Sequence, residues 1–459
     1  MTILNMMSTF WTLSMGAADA PAIVTEAGQI VSYAQLSKDI ESFSVGLPDK
    51  RSLVFLSVDN NYESVIAYLA CLSKGHPFLI LDIGLEQALK EPLFFQYEPN
   101  VHIESGQVHL LHHREYSLHP DLAMMMSTSG TTGSPKLVRL SKKNLSSNAV
   151  SIVEYLKIRS SDVAITTLPM SYSYGLSVIN SHLAAGACIV LNSDSILTRE
   201  FWGKVKEHKV VTLSGVPFTY QMLKKLNYKR FDTSPIRYLT QAGGKLDENT
   251  LTYFQQVCSE LGQDFVVMYG QTEASPRISY VPATELKDKI GSIGVAVPGG
   301  TLQIFAHDTL ISEVDTEGEI VYSGPNVMMG YAESTADLSL PDTQGGQLRT
   351  GDLGYADSDG YFYITGRAKR FIKLFGLRIG LDEIDNWLAK KGIEAVSAGS
   401  DDGLVVFYTL KELQIETVKL ELGAEFKLNV NFVNFTEIDS IPRTNGGKVD
   451  FKKLNQLIN

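Results

Sequence analysis

Short aliphatic and β-branched runs alternate with segments of helical periodicity through the first half of the chain, and this rhythm restricts the fold more than any other feature. Leu53 to Val58 reads as a strand, Tyr62 to Ser73 as a helix and Pro77 to Leu81 as the next strand. The rhythm continues with a strand over Ala164 to Leu168, a helical pattern around Ile179 to Ala185, a strand over Cys188 to Leu191, a helix near Phe201 to His208 and a strand over Val210 to Leu213. Strands divided by helix-length segments imply sheets flanked by helices, an α/β layering. From about Ile290 the pattern shifts to β-rich segments separated by Gly, Pro and Asp turns, among them Thr301 to Phe305, Gly318 to Ser323 and Gly360 to Ile364, which predicts a small β subdomain. After Gly366 an α+β unit is expected, with strands at Phe371 to Leu374, Leu404 to Leu410 and Val430 to Phe435, a helix over Leu381 to Lys391 and another from Ile415. The domain boundary is placed there: a large N-terminal domain, 1–366, of helix-flanked β-sheets with a small β subdomain, and a small C-terminal α+β domain, 367–459.

A chain of 459 residues is too long for one compact core, which agrees with more than one structural unit. Hydrophobic residues at 44% and charged residues at 20% exclude a disordered class. Forty basic against fifty-one acidic side chains give a net charge of −11, which argues against nucleic acid as the main partner and requires any phosphate site to be local. The three cysteines, Cys71, Cys188 and Cys258, lie far apart with no CxxC pair, so neither a disulfide framework nor a zinc cluster is indicated and a reducing cytoplasm is expected. The run from Ile3 to Ala18 is fairly apolar, but no Lys or Arg precedes Lys38, so the basic region of a signal peptide is missing. No stretch approaches the ~20 apolar residues of a membrane span.

The most informative segment is Ser127-Thr-Ser-Gly-Thr-Thr-Gly-Ser-Pro-Lys136, which follows the apolar Met124 to Met126. Glycines let backbone N–H groups approach phosphate oxygens, hydroxyls donate further hydrogen bonds, and Lys136 adds positive charge, so the run reads as a phosphate loop. Taken alone it also suits a flexible Ser/Gly linker. No Gly-Lys pair, at Gly203, Gly244 or Gly447, is followed by Ser or Thr, which disfavours a Walker-type ATPase, and the absence of GxSxG leaves an α/β serine hydrolase without its nucleophile.

Thr128 to Lys136 resembles the signature of the acyl-adenylate-forming superfamily, which contains acyl-CoA synthetases, amino acid adenylation domains and luciferases. Further segments resemble family motifs in the same order: Ala242-Gly-Gly244, Tyr269-Gly-Gln-Thr-Glu273, Gly318-Glu-Ile with Gly330-Tyr331, Arg349-Thr-Gly-Asp352, Gly366-Arg367, and Pro442 to Lys448. The likeness runs from roughly residue 18 to 453 and is closest in pattern to acyl-CoA synthetases.

The resemblance implies ATP and Mg²⁺, with Thr128, Ser129, Gly130, Thr131, Thr132, Gly133 and Lys136 holding phosphates. It places Tyr269 on adenine beside Ala242, Gly243 and Gly244, with Gly270 and Gln271 adjoining, an aromatic face being a suitable platform for a base. Thr272 would meet the α-phosphate and Glu273 would hold Mg²⁺, a hard cation that prefers carboxylate and phosphate oxygens. Asp352 would accept two ribose hydroxyls with Arg367 assisting. Lys448 corresponds to the adenylation lysine, where a positioned ammonium offsets charge developing on the α-phosphate and departing pyrophosphate. Transfer to a thiol would require a mobile C-terminal domain to turn about Lys369, after which Phe371 to Gly376 would line the thiol tunnel, with Gly376 permitting close approach.

The implied activity is ligation of a small carboxylic acid to coenzyme A or to the phosphopantetheine of an acyl carrier protein, through an acyl-AMP. The acyl pocket falls on Pro169 to Leu176, with Tyr174, Gly175, Ser214, Gly215, Val216, Pro217 and Ala274 as candidates. No Asp occurs between Asp162 and Asp194 to pair with a substrate ammonium, which disfavours an α-amino acid held in the usual way. Two alternatives stay open: adenylation of an amino acid or transfer to a non-thiol acceptor, and, in a different class, a non-catalytic nucleotide-binding partner. The phosphate loop arrives early and the stretch after Asp82 is compressed, so the first subdomain looks trimmed; the C-terminal unit is short too, though its lysine loop is intact. The cluster His102, His109, His112, His113 and His119 has metal-like spacing, but Val101 to Leu110 alternates like a hairpin, which places His102 and His109 on a solvated face.

Overall fold

In the computed structural model the described residues are 9–127, 136–367, 370–374, 377–400, 403–410, 414–426, 428–443 and 449–457. Helix starts follow side-chain caps. Ser32, Asn61, Ser141, Thr198 and Asp247 each accept a backbone N–H three residues on, which satisfies a donor that the first turn leaves orphaned. Gly75 and Gly262 end their helices at φ 78° and 68°, a conformation that glycine adopts without penalty.

The chain divides into two compact units. The first comprises 1–290, 294–301 and 322–348. One of its sheets runs in the order Val295–Ala296, Arg277–Val281, Asp264–Gly270, Tyr238–Gln241, Thr212–Gly215, Val163–Ile165, Cys188–Val190, Pro21–Val24 and Ile30–Ser32. Its middle, from Asp264–Gly270 to Pro21–Val24, is parallel throughout. The other sheet runs Gly330–Ala332, Leu137–Ser141, Leu122–Ser127, Phe78–Asp82, Val54–Val58, Val101–Glu104 and Gln107–Leu110. Phe55, Leu79, Met125 and Leu137 form part of its core. The helix Ser173–Ala184 is buried on every side, as a helix sandwiched between layers must be.

The second unit comprises 291–293, 302–321 and 349–459. An antiparallel sheet orders Thr309–Ile311, Thr301–Ala306, Gly318–Ser323, Gln347–Ala356 and Phe362–Arg367. A hairpin follows, Phe371–Leu374 with Leu377–Gly380, and then a sheet ordered Ala395–Ser400, Gly403–Tyr408 and Val433–Glu437. Helices Leu381–Lys390 and Ile415–Glu425 supply Ile384, Leu388 and Leu422 to a core shared with Leu404, Val406 and Val433. The expected layering, α/β first and α+β last, is present. Among the described residues no helix is long and apolar enough to cross a membrane.

Several strand expectations need correction. The strand expected over Ala164 to Leu168 stops at Ile165, because Asn60 draws the chain out of the sheet by bonding the Leu168 carbonyl and the Met170 amide. The one expected over Val430 to Phe435 begins only at Val433, since the Asn429 side chain accepts from Asn431 N and bends the preceding residues into a 3₁₀ turn. His102 and His109 do pair across a hairpin, and His109 is exposed. His102 is half-buried instead, its Nε2 3.0 Å from Ser57 Oγ and its ring 5.0 Å from that of Phe94, because the helix Gln87–Tyr97 covers that face. Burial lowers its pKa, the ring losing water that would stabilise the charged form.

Candidate active site

Four neighbouring parallel strands, Val163–Ile165, Thr212–Gly215, Tyr238–Gln241 and Asp264–Gly270, end at one edge of their sheet, and most of the predicted site residues of the first unit follow those ends. Carboxyl ends of parallel strands are where α/β sheets open a crevice for ligands. Ser214 pairs with Thr240 in register, and their hydroxyls lie 3.0 Å apart. Gly215 and Val216 lead into the helix Pro217–Lys225, with Pro217 in the first turn where a missing N–H costs nothing. Ala242 is buried. Gly243 has φ 87°, and a Cβ there would meet the Tyr172 hydroxyl at 2.7 Å and Val216 Cγ1 at 3.1 Å, so only glycine fits this turn.

The strand Asp264–Gly270 carries Tyr269 and ends in Gly270, whose missing Cβ leaves room for the Pro276 carbonyl. The Gln271 Nε2 is buried and has no hydrogen-bond partner among the described residues. Thr272, Glu273 and Ala274 make a single 3₁₀ turn. Thr272 Oγ1 lies 3.3 Å from Ser173 Oγ, the first residue of the buried helix. Glu273 Oε1 accepts from the Tyr331 hydroxyl at 2.9 Å. The carbonyl of Ala274 is gripped by the side-chain amides of Asn148 and Asn326, at 3.4 and 2.6 Å.

Tyr331 arrives from the other sheet of this unit. Its strand pairs with Leu137–Ser141, where Arg139, wholly buried, donates to the carbonyls of Tyr331, Leu340, Met329 and Pro341 at 2.6 to 3.2 Å. Burial, then the Glu273 charge, pushes the Tyr331 phenol well above its ordinary pKa, so it stays a donor to the carboxylate. Lys136 pairs with Glu333 at 2.8 Å and sits 5.7 Å over the Tyr331 ring. Both partners of that pair are about half exposed, a setting in which an ion pair is worth ~0–1 kcal/mol and is readily exchanged for another anion.

Of the pocket candidates, Tyr174 is buried with its hydroxyl on the Thr240 carbonyl at 2.8 Å, and a Cβ at Gly175 would overlap the Pro169 carbonyl oxygen. Sequence reasoning passed over Asn60 and Asp82, which hold the loop before the helix through Met170 N and Ser171 Oγ at 2.8 and 2.7 Å. It also passed over Arg139, Asn148, Arg277 and Asn326, which belong to none of the quoted motifs.

In the second unit Asp352 and Arg367 face each other in register on adjacent strands. Arg367 Nε donates to Asp352 Oδ1 at 2.8 Å, the carboxylate being buried and the guanidinium largely exposed. Arg443 and Val449 form an antiparallel bridge and Asp450 N bonds the Pro442 carbonyl at 2.8 Å, which closes the base of the segment carrying Lys448. Lys448 itself, the loop residues Thr128, Ser129, Gly130, Thr131, Thr132 and Gly133, and Lys369 and Gly376 lie outside the described residues.

The donor set fits a magnesium nucleotide. Among the described residues the Glu273 carboxylate is held by a single phenol and retains lone pairs for a hard cation, and the Gln271 amide, unpaired among those residues, offers a donor. Among the described residues no group of three or more His, Cys, Asp or Glu could hold a metal by itself, so Glu273 would share an ion with phosphate oxygens.

The chain is 30% identical over 347 residues to an indoleacetate–CoA ligase of Aromatoleum aromaticum, covering 72% of this chain and 66% of that protein. It is 32% identical over 349 residues to a sulfoacetate–CoA ligase of Cupriavidus necator, again covering 72% and 66%. The chain thus spans just under two thirds of the length of these relatives. Its structure superposes on the o-succinylbenzoate CoA synthetase of Bacillus subtilis in complex with an acyl-adenylate intermediate, with a TM-score of 0.79 at 22% identity, covering 97% of both chains, which shows a common fold. Residues 86–332, more than half of the sequence, match the family model described as AMP-binding enzyme. The chain belongs to the AMP-binding enzyme family.

Proposed function

We propose that the protein is an AMP-forming acid–thiol ligase. A carboxylate oxygen of the acid attacks the α-phosphorus of ATP, forming the mixed anhydride as the bond to pyrophosphate breaks. The sulfur of a thiol then attacks the acyl carbonyl, the C–S bond forms, AMP leaves with the C–O electrons, and the thiol proton passes to solvent. The observation that carries this reading is the Thr272–Glu273 turn at the end of Asp264–Gly270, where a hydroxyl and a Tyr331-held carboxylate stand beside the glycine-lined Ala242 to Gly244 edge.

Tyr269 supports adenine, and Ala242, Gly243, Gly244, Gly270 and Gln271 border it. Thr272 contacts the α-phosphate, and Thr128, Ser129, Gly130, Thr131, Thr132, Gly133 and Lys136 bind the others. Glu273 holds Mg²⁺, which supplies charge neutralisation on the phosphates. Asp352 accepts from the ribose hydroxyls, with Arg367 holding its carboxylate in place. Lys448 offsets charge in the first step and must withdraw for the second, and we assign that movement to residues 367–459 turning about Lys369, with Gly376 lining the thiol path. Tyr174, Gly175, Ser214, Gly215, Val216, Pro217 and Ala274 shape the acyl end. The acceptor is coenzyme A or a carrier-protein phosphopantetheine; the curated relatives at 30 and 32% identity are both named as CoA ligases, which supports the former. Three buried, unpaired cysteines suit a reducing, cytoplasmic setting.

Hydroxamate trapping over aliphatic, aromatic, hydroxy and amino acids, with ATP and Mg²⁺ and with Lys448→Ala as blank, tests the reading. At least one acid should give hydroxamate far above the blank, and adding coenzyme A or a holo carrier protein should convert that product to a thioester. A panel in which every acid stays at the blank level overturns it.

A further inference from the structure

The Gly318-Glu-Ile and Arg349-Thr-Gly-Asp352 segments lie on adjacent strands of the antiparallel sheet, Gly318–Ser323 beside Gln347–Ala356. Gly351 interrupts the second strand at φ 72°, a left-handed conformation that glycine takes without strain, and so turns the chain immediately before Asp352. A bend of that kind displaces backbone donors, and each must find an acceptor. Glu319 Oε1 accepts from Gly351 N at 3.2 Å, and Thr350 Oγ1 accepts from Asp352 N at 3.1 Å while donating to the Ile320 carbonyl at 2.7 Å. Both amides that direct Asp352 are therefore tied, one directly and one through Thr350, to residues 319 and 320 of the neighbouring strand.

Glu319 is itself fixed. Its Oε2 accepts from Arg349 Nη1 at 2.8 Å, and Arg349 Nη2 donates on its other side to the His307 carbonyl at 2.7 Å and to Asp308 Oδ1 at 2.6 Å. Asp308 is almost fully exposed, so that pair holds little by itself; the Glu319 side chain is only 20% exposed, and its charge-assisted bond is screened less. A carboxylate accepts through both oxygens, so Glu319 joins the guanidinium to the turn. On the opposite flank Arg367 Nε meets Asp352 Oδ1 at 2.8 Å. The buried Asp352 carboxylate is thus aimed from two strands, Arg367 gripping the side chain and Glu319 the main chain.

We infer that Glu319 is a positioning residue for recognition of the nucleotide ribose, acting on Asp352 through the Gly351 turn and touching no substrate itself. Without its carboxylate the Gly351 amide loses its acceptor and Arg349 its less exposed partner, and the turn no longer holds Asp352 in one direction. Recognition of the two ribose hydroxyls then suffers, while contacts to adenine and to the phosphates stay. This rests on the reading of Asp352 as acceptor of the ribose hydroxyls, and it makes a claim about binding that can be measured without turnover.

The test measures, by titration calorimetry with Mg²⁺, the dissociation constants of ATP and 2′,3′-dideoxyATP for the full chain in wild type, Glu319→Leu, Glu319→Asp and Glu319→Gln. ATP should bind wild type about 10²-fold more tightly than the dideoxynucleotide, which cannot donate to the Asp352 carboxylate. Glu319→Leu should cut that ratio about tenfold, almost wholly through weaker ATP binding. Glu319→Asp, one methylene short of the turn, should cut it by a comparable amount, and Glu319→Gln, which still offers an oxygen to Gly351 N, should fall between Glu319→Leu and wild type. A role confined to stability would instead lower the melting temperature and weaken both nucleotides alike. A ratio that a folded Glu319→Leu keeps, or a loss shared equally by the two nucleotides, overturns the inference and leaves the reading of Asp352 standing. A wild type that binds neither nucleotide, or both alike, overturns the reading of Asp352 and the inference with it. Should Glu319→Leu not fold, the Glu319→Asp ratio decides.

Discussion

The Tyr331 hydroxyl donates to Glu273 Oε1 at 2.9 Å, so a carboxylate at the end of one sheet is oriented by a phenol on the edge strand of another. Outer-sphere hydrogen bonds of this kind set the direction of a metal-binding oxygen. Tyr331→Phe should raise the Mg²⁺ concentration needed for half-maximal pyrophosphate release by about tenfold, with little change in fold. A magnesium titration matching wild type would show that the phenol does not position Glu273.

Arg139 holds that edge strand in place by four backbone carbonyls. Arg139→Met fills similar volume but strands those carbonyls, and should lower the unfolding free energy by about 3–5 kcal/mol. Urea denaturation reads this directly, and an unshifted midpoint would remove Arg139 from its structural role.

His182 is fully buried, its Nδ1 2.8 Å from the Val178 carbonyl, and loss of hydration lowers its pKa from the ordinary 6.5 to about 4. The unfolded chain therefore takes up a proton first as pH falls. The stability that neutral His182 contributes is fully present above pH 6.5 and is lost between there and about pH 4. Stability should drop by about 2 kcal/mol from pH 7 to pH 5 through this group. His182→Asn, which cannot titrate, should show a correspondingly flatter profile in denaturant melts at the two pH values, and parallel profiles count against it.

Lys448→Ala should slow acyl-AMP formation by ~10²-fold. Thioester formation from acyl-AMP supplied directly should fall far less, because that step needs the lysine out of the way. Equal losses in both half-reactions would mean that Lys448 serves something other than adenylation.

The sequence disclosed the alternation of strands and helices because buried parallel strands are short apolar runs, and Val54–Val58 and Cys188–Val190 are of that kind. Site residues were legible where chemistry demands a fixed local spacing, as in Tyr269 to Glu273. Arg139 and Arg277 were not, since a lone arginine in a strand reads as an outward-facing residue of an alternating pattern. Both are buried because tertiary neighbours cover them: four carbonyls in one case, the ring of Tyr174 in the other. His102 escaped for a similar reason, its covering helix containing Pro92 and so lacking a plain helical signature.

Asn148 and Asn326 bond the carbonyl of Arg277, at 3.3 and 2.7 Å, as well as that of Ala274. A main chain clamped at its carbonyls is indifferent to which side chain it displays. The 272–273 turn is therefore anchored on its returning side by two side-chain amides, and its placement does not depend on the side chain at position 277.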